Sequence, residues 1–354
     1  MCVHDSPMSF RELSELDRLP YFKREEGRIK IADPSLGPTI DFHTHLSLSY
    51  VFRNRIDLHK LHPETLNYLP QKRPFSLENY QNKNFTKEDL RTLKRDLVWG
   101  GMTAGGLRLT HTAANLKRDM DDLGIRHSVL LPIDFPYLSD NAGTWLEAVA
   151  GDPRFICYGS VHPFSRGRAG MLDRQRTLGA TGLKLHPNVQ VVAPEGDRSM
   201  SLYRMCEERK MVVFWHCGPV GIEPLHGKIL TQVRRYEQPI RELPHCTFVL
   251  GHAGALQNEE ALELARRYEN VYLEVSGQSL ERIRRMIERG PTDRIVFGTD
   301  WPWYHQAIGL AKVYLATEGN ERVRRQILWG NAARLLGLAE NGTSDATLQA
   351  RHAS

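Results

Sequence analysis

The chain has 354 residues, of which 41% are hydrophobic and 25% are charged, so it is long enough for one large domain or two small ones. Its 47 Lys and Arg residues against 42 Asp and Glu residues leave a formal charge of +5, and because the basic residues are scattered, we expect no nucleic-acid partner. No uncharged stretch approaches the about 18 residues of a membrane span, and the five cysteines show no paired spacing, so we expect a cytoplasmic protein without a membrane partner.

Short runs rich in Val, Ile, Leu and Phe alternate along the chain with segments of helical periodicity. The runs predict eight strands, over 39–43, 128–133, 155–161, 182–186, 212–216, 247–252, 271–275 and 295–300. The periodic segments predict helices over 87–98, 115–123, 201–209, 229–242, 259–268 and 279–289. Strict alternation of strand and helix predicts a parallel sheet, and eight units favour an α/β fold closed into a (β/α)8 TIM barrel. The alternative is an open doubly wound sheet.

On this prediction the chain has three parts. Residues 1–37 form a short N-terminal extension packed on the barrel, residues 38–338 form the barrel itself, and residues 339–354 form a disordered tail. A long insertion over 46–110 follows the first barrel strand, far beyond the about two to six residues usual for such a loop. We expect this lid-like insertion to determine specificity.

Polar side chains stand at the carboxyl ends of five predicted strands, where such a barrel holds its active site. They are His43 and His45 on the first strand, Lys184 and His186 on the fourth, His216 on the fifth, His252 on the sixth and Asp300 on the eighth. His43 and His45 are two residues apart and share one face of a strand, with Phe42 on the other face, so both imidazoles can bind one ion. Each residue alone has an ordinary interpretation as a core histidine, a helix cap or a strand-end lysine. Their occurrence at matching strand ends predicts a metal site.

The seventh strand offers two further polar residues, Glu274 and Ser276, which share one of its faces. Two interpretations are open for them: they orient the groups of the site, or they pack against neighbouring strands.

This order of residues resembles the amidohydrolase superfamily. The local sequences that strengthen the resemblance are Gly182-Leu183-Lys184-Leu185-His186-Pro187, Gly251-His252-Ala253-Gly254, Gly298-Thr299-Asp300-Trp301-Pro302 and Gly330-Asn331-Ala332-Ala333-Arg334-Leu335-Leu336. They are similar to the branch that holds aminocarboxymuconate-semialdehyde decarboxylase, resorcylate decarboxylase and predicted metal-dependent hydrolases. The resemblance spans residues 38–338.

The resemblance implies one divalent metal ion, with Zn²⁺ preferred and Mn²⁺ as the alternative, held by four residues. These ligands are His43, His45, His216 and Asp300. It also implies two catalytic residues: Asp300 takes a proton from the metal-activated water, and His252 acts as general acid or base.

Lys184 leaves a second arrangement open, because its carboxylated form would bridge two ions, as in the two-metal members of the superfamily. We favour one ion, with Lys184 and His186 as substrate contacts. Arg53, the basic residue nearest in sequence to the histidine pair, is the candidate clamp for a substrate carboxylate.

Three classes of function remain. The first is a metal-dependent hydrolase that uses a metal-activated water on an amide, lactone, ester or C–C bond of a small, carboxylated substrate. The second is a metal-dependent nonoxidative decarboxylase of an aromatic or semialdehyde carboxylic acid. The third, a noncatalytic binding protein, would usually have lost ligands, and none is missing here. We rank the hydrolase first, and because barrels of this branch often pair, a homodimer is a further expectation.

Overall fold

The computed structural model describes residues 8–51, 55–99 and 105–338. Arg53 and the predicted tail over 339–354 lie outside these residues. Among the residues described, no helix is both long and apolar enough to cross a membrane.

Eight parallel strands form the centre of the fold, and one of them overlaps each of the eight predicted runs. In chain order they are β4 (Thr39–Thr44), β6 (Ile125–Leu130), β7 (Phe155–Cys157), β8 (Gly182–Leu185), β9 (Val212–His216), β10 (Phe248–Gly251), β11 (Val271–Glu274) and β12 (Ile295–Val296). The third and eighth strands end earlier than predicted, at Cys157 and Val296. Strands β4, β6 and β7 form one sheet, and β8 to β12 form a second sheet in sequential order. Each strand pairs with its neighbour in parallel, which requires a crossover between consecutive strands.

Contacts at both edges join the two sheets into a ring, so the open-sheet alternative is wrong. Between the third and fourth barrel strands, Gly159 pairs with Leu183 in a parallel bridge. Between the eighth and the first, Thr44 pairs with Trp301, and the N–H of His45 donates to the carbonyl oxygen of Trp301 at 2.7 Å. The circular strand order is that of a (β/α)8 barrel.

Helices connect the strands. They are α1 (Lys87–Trp99), α2 (Ala113–Asp122), α3 (Asn141–Ala148), α4 (Arg168–Thr177), α5 (Pro187–Gln190), α6 (Asp197–Glu208), α7 (Leu225–Leu230), α8 (Glu237–Glu242), α9 (Asn258–Arg267), α10 (Leu280–Arg289), α11 (Gln306–Ala316), α12 (Glu321–Arg325) and α13 (Asn331–Leu336). The single helix predicted over 229–242 is wrong. Gln232 adopts an extended ψ of 130°, and the N–H of Val233 donates to the Gln257 side chain at 3.0 Å, so the segment divides into α7, a 3-10 turn and α8.

The N-terminal segment contacts both the insertion and the barrel. Strand β1 (Ser9–Phe10) pairs with β5 (Phe75–Ser76) of the insertion in antiparallel register, and β2 (Phe22–Glu25) forms a hairpin with β3 (Arg28–Ile31). Arg28 of this hairpin lies 3.0 Å from Asp119 of α2. The division of the chain at residues 37 and 338 stays a prediction.

The barrel interior is a separate apolar cluster beneath the carboxyl ends of the strands. It includes Ile40, Phe42, Val129, Leu131, Tyr158, Phe214, Val249 and Val296. The prediction that Phe42 faces away from His43 is wrong. The pairing of β4 with β6 shifts between Asp41 and Thr44, and the rings of both Phe42 and His43 approach Phe214, with centroids 6.2 Å and 4.8 Å away. A bulge of this kind turns two successive side chains towards the same interior.

Candidate metal centre and substrate cavity

His43, His45 and Asp300 meet above the ends of the first and eighth barrel strands. All three side chains are buried, and the two histidine Nε2 atoms lie 3.1 Å apart. Asp300 Oδ1 lies 3.4 Å from His43 Nε2 and 3.3 Å from His45 Nε2. Two imidazole nitrogens and one carboxylate oxygen this close together form a donor set that suits Zn²⁺ or another divalent ion.

Hydrogen bonds at the opposite nitrogen hold both imidazoles in place. His45 Nδ1 lies 2.7 Å from the carbonyl oxygen of Leu131, and His43 Nδ1 lies 2.7 Å from Glu274 Oε2. Each Nδ1 therefore carries the proton and donates, which leaves the Nε2 lone pairs for a metal. Burial lowers the pKa of both rings, and the positive charge of Lys184 lowers the pKa of His43 further. The neutral rings are the form that binds a metal ion.

Asp300 reaches this point because the chain turns sharply after β12. Its φ of 61° lies in the left-handed region, and its N–H donates to the carbonyl oxygen of His43 at 2.8 Å. The preceding Thr299 donates its N–H at 3.0 Å and its hydroxyl at 2.5 Å to the carboxylate of Asp41, which also accepts the N–H of His43 at 3.2 Å. Burial raises the pKa of Asp41 to about 7, although these hydrogen bonds oppose the shift. Asp41 thus joins the two chain segments that carry His43 and Asp300.

A buried carboxylate at the end of β11 connects His43 to His252. Glu274 Oε2 accepts from His43 Nδ1 at 2.7 Å, from the backbone N–H of His252 at 3.0 Å and from the Ser276 hydroxyl at 2.8 Å. Ser276 Oγ lies 2.9 Å from His252 Nδ1, so it accepts the proton of that nitrogen and leaves His252 Nε2 unprotonated. Burial raises the pKa of Glu274 to about 8. Of the two interpretations left open for Glu274 and Ser276, these contacts support the one in which they orient the site.

His216 lies beside this network. Its Nδ1 is 3.1 Å from His252 Nε2, and its ring stacks on that of His186 with a centroid distance of 3.9 Å. In the part of the chain that the structure describes, two groups of three close donor atoms occur: His43 with His45 and Asp300, and His43 with His252 and Glu274. His216 belongs to neither group. Its role as the fourth ligand stays a prediction.

Lys184 is a buried cation at the same end of the barrel. Its side chain is 1% exposed, and its Nζ has no hydrogen-bond partner among the described residues. The amine lies 4.3 Å from the centre of the Phe214 ring. Burial lowers the pKa of Lys184 to about 7, although the carboxylates of Asp300 and Glu274 oppose the shift. An amine held without a partner is available to an anionic group of a ligand or to carboxylation.

A cavity of about 500 Å³ opens above these side chains. Its polar floor includes His43, His45, Lys184, His186, His216, His252 and Asp300. Its walls carry Tyr50, Tyr80, Leu90, Leu93, Leu97, Ile133, Val220, Trp303 and Tyr304. The leucines come from α1 of the insertion, where a helix was predicted over 87–98 and is confirmed. A polar floor beneath apolar and aromatic walls suits a small ring-containing ligand.

The cavity also holds residues that the sequence analysis missed. Glu223 lines it from the loop between β9 and α7, and Asn188 lines it from the short helix α5 that follows β8. Neither lies at the end of a strand or in a motif of recognisable spacing, so no signal in the sequence marked them. Glu274 and Ser276, in contrast, were marked by their alternation along β11.

The fold and the site together define a TIM-barrel protein with a candidate metal centre at the carboxyl ends of its strands. Residues 40–338 match the family model described as Amidohydrolase, and the chain belongs to this family. The protein is therefore an enzyme of the amidohydrolase superfamily, and its family membership and donor set support metal-dependent chemistry. No curated protein matches the sequence.

Solved structures share the fold at low sequence identity. An uncharacterized TIM-barrel protein from Bordetella bronchiseptica is 18% identical, with a TM-score of 0.58 over 85% of this chain and 99% of that one. The 2,6-dihydroxybenzoate decarboxylase from Rhizobium is 17% identical, with a TM-score of 0.55 over 84% and 99%. A probable 2-pyrone-4,6-dicarboxylic acid hydrolase from Acinetobacter baumannii is 15% identical, with a TM-score of 0.52 over 85% and 99%. At these identities the likeness establishes the fold alone.

Proposed function

We propose that this protein is a metal-dependent hydrolase that acts on a small, carboxylated ring compound through an amide, lactone, ester or C–C bond. The observation that carries the proposal is the donor set of His43, His45 and Asp300 on the floor of a cavity that also presents the unpartnered amine of Lys184. The amine suits a carboxylate, and the aromatic walls suit a ring.

The residues that would hold the ion are His43, His45, His216 and Asp300, with Zn²⁺ preferred over Mn²⁺. Such an ion, when bound, supplies Lewis acidity and makes water a better nucleophile at neutral pH. The neutral imidazoles and the carboxylate suit such an ion. The Nδ1 protons of His43 and His45 are donated to other acceptors, which leaves both Nε2 atoms available as ligands.

The protein's own side chains supply proton transfer and orientation. His252 Nε2 is free of a proton because Nδ1 donates to Ser276, so His252 can accept a proton and return it to a leaving group. Asp300 lines the same cavity as His252, and its carboxylate can also accept a proton. Lys184 would hold the substrate carboxylate, with His186 beside it, and Arg53 remains a predicted second clamp.

Decarboxylation is the second candidate, and the position of Lys184 is the observation that favours it. A carboxylate bound to this buried amine would lie on the same cavity floor as His252 and Asp300. It would then be a reacting group rather than an anchor, with a proton delivered to the ring carbon. The products distinguish the two reactions, because decarboxylation releases CO₂ and hydrolysis of an ester or lactone releases a new acid.

Elemental analysis of the purified protein tests the proposal first. One zinc or manganese ion per chain supports the single-ion site and directs screening towards carboxylated aromatic and cyclic compounds, with CO₂ release and acid release measured in parallel. Two ions per chain would replace the single-ion site by one bridged through carboxylated Lys184. A protein that binds no ion after growth with added metal would overturn the proposal.

A further inference from the structure

Glu223 is a second buried acidic side chain that lines the cavity and has an unpartnered polar atom among the described residues. Its side chain is 8% exposed, and it lines the cavity from the loop between β9 and α7. Glu223 Oε2 accepts the N–H of Ile222 at 2.9 Å. Its other oxygen, Oε1, has no hydrogen-bond partner among the described residues. An unpaired buried carboxylate oxygen is costly, which points to a partner that arrives with a ligand.

Helix α7 packs closely against Asn188 and against the Cβ of Glu223. Gly227 of α7 lies so close that a Cβ added to it would stand 2.1 Å from Asn188 Oδ1 and 3.1 Å from Glu223 Cβ. Any residue larger than glycine would push these two cavity-lining side chains away. The close approach of α7 therefore requires glycine at position 227.

Glu223 shares the cavity with Asp300, Tyr80 and Lys184. Burial, followed by the negative charges of Asp300 and Glu223, raises the pKa of the cavity residue Tyr80. Both carboxylates line the same cavity as Tyr80. Lys184 supplies the opposite charge to the same space, so the described lining includes a buried amine, Lys184 Nζ, and a buried carboxylate oxygen, Glu223 Oε1, that have no hydrogen-bond partner.

We infer that Glu223 recognises a nitrogen that donates N–H, so that the cavity selects compact ring acids that also carry a protonated amine. The inference rests on the proposed function for the role of Lys184 as the carboxylate anchor. In the bound molecule the carboxylate pairs with Lys184, the amine pairs with Glu223, and the ring lies against the aromatic walls. A ligand with both groups would satisfy both unpartnered side chains at once.

Three probes measure the two ends of the cavity separately: benzoate, benzylamine and 4-(aminomethyl)benzoate. Their binding to the metal-loaded full chain is measured by calorimetry for the wild type, Glu223→Gln, Glu223→Asp and Lys184→Met. Glu208→Gln serves as the control, because Glu208 is 72% exposed at the end of α6. Circular dichroism checks that each variant is folded.

We expect Glu223→Gln to weaken benzylamine binding by about 10-fold and to leave benzoate binding unchanged, as expected for the loss of one charge-assisted hydrogen bond. Glu223→Asp keeps the charge and retains part of the affinity for the amine. Lys184→Met gives the reverse result, with benzoate weakened and benzylamine unchanged. The wild type binds the probe that carries both groups more tightly than either single-group probe.

Benzylamine that binds wild type and Glu223→Gln equally, or that binds neither protein, would overturn the inference. If Glu223→Gln does not fold, Glu223→Asp and the ranking of the three probes by the wild type decide the same question. Failure of the proposed function is a different result: a protein without metal, or one in which benzoate binding does not depend on Lys184.

Discussion

Glu274 Oε2 lies 2.7 Å from His43 Nδ1, and the same oxygen accepts the backbone N–H of His252. One carboxylate therefore orients a predicted metal ligand and the segment that carries the predicted general acid or base. It also accepts the Ser276 hydroxyl, whose oxygen takes the Nδ1 proton of His252. The protonation pattern of both histidines thus depends on Glu274.

Replacing Glu274 by glutamine tests this dependence. The variant keeps the side-chain shape but replaces one carboxyl oxygen by an amide nitrogen, which cannot accept from His43, so we expect metal affinity to fall by about 10- to 100-fold, as is usual when a partner of a metal ligand is lost. Competition with a chelator measures the affinity. Glu288→Gln, at an exposed position of α10, should bind metal like the wild type. Unchanged affinity in Glu274→Gln would show that His43 does not need this acceptor.

The roles of His216 and His252 separate in a pair of alanine variants. We expect His216→Ala to lose both metal and activity, because it removes one of four proposed ligands. His252→Ala should keep the metal and lose turnover by about 100-fold or more, because it removes only the proton-transfer group. Metal content and activity are measured on the same preparations. A metal-free His252→Ala protein would contradict the single-ion assignment and move His252 into the ligand set.

Lys184→Met should make the protein more stable while it weakens ligand binding. The amine is buried and has no partner in the part of the chain that the structure describes, so an apolar side chain of similar length removes a desolvation cost of about 1 to 3 kcal/mol. We expect a higher Tm and an unchanged metal content. The control is Lys228→Met, on the exposed face of α7, which should leave Tm unchanged. A variant that loses metal and stability together would instead indicate a carboxylated lysine that bridges two ions.

Lys312 differs from Lys184, because the amine of this buried lysine has hydrogen-bond partners. Its Nζ donates to Gln81 Oε1 and to the carbonyl oxygen of Gln278 at 2.7 Å each, which ties the insertion to the loop after β11. Lys312→Met leaves these acceptors buried and unpaired, so we expect a loss of about 2 kcal/mol or more in the free energy of unfolding. Lys83→Met, exposed in the same segment of the insertion, is the control.

The contribution of Lys312 to the free energy of unfolding should also depend on pH. Burial lowers the pKa of Lys312 to about 7, below the 10.5 of an exposed lysine. As pH falls from 10.5 towards 7, the unfolded chain takes up a proton that the folded chain does not, so this residue's contribution to stability falls. Urea unfolding at several pH values should show the deficit of Lys312→Met largest at the alkaline end and smaller near neutrality. A deficit that grows as pH falls would mean that the amine stays charged in the folded protein.

Much of the fold could be predicted because hydrophobic periodicity is a local property. The alternation of apolar runs and amphipathic segments marks each strand, and a barrel places every strand end at one face. The end of the eighth strand could not be predicted, because the run is still apolar at Phe297, whereas the ladder already stops at Val296. The chain leaves the ladder there to form the turn in which Thr299 binds Asp41.

The sequence by itself determined which chemical groups gather at one end of the barrel, because strand order and direction follow from local patterns of residues. Only the tertiary structure decided how those groups are used. The bulge in β4 turns both Phe42 and His43 inward, and Glu274 meets His43 two strands away around the ring. Among the described residues, Lys184 Nζ and Glu223 Oε1 have no hydrogen-bond partner. Hydrogen bonds and desolvation depend on which distant segments pack together, and that information is not contained in the spacing of residues along the chain.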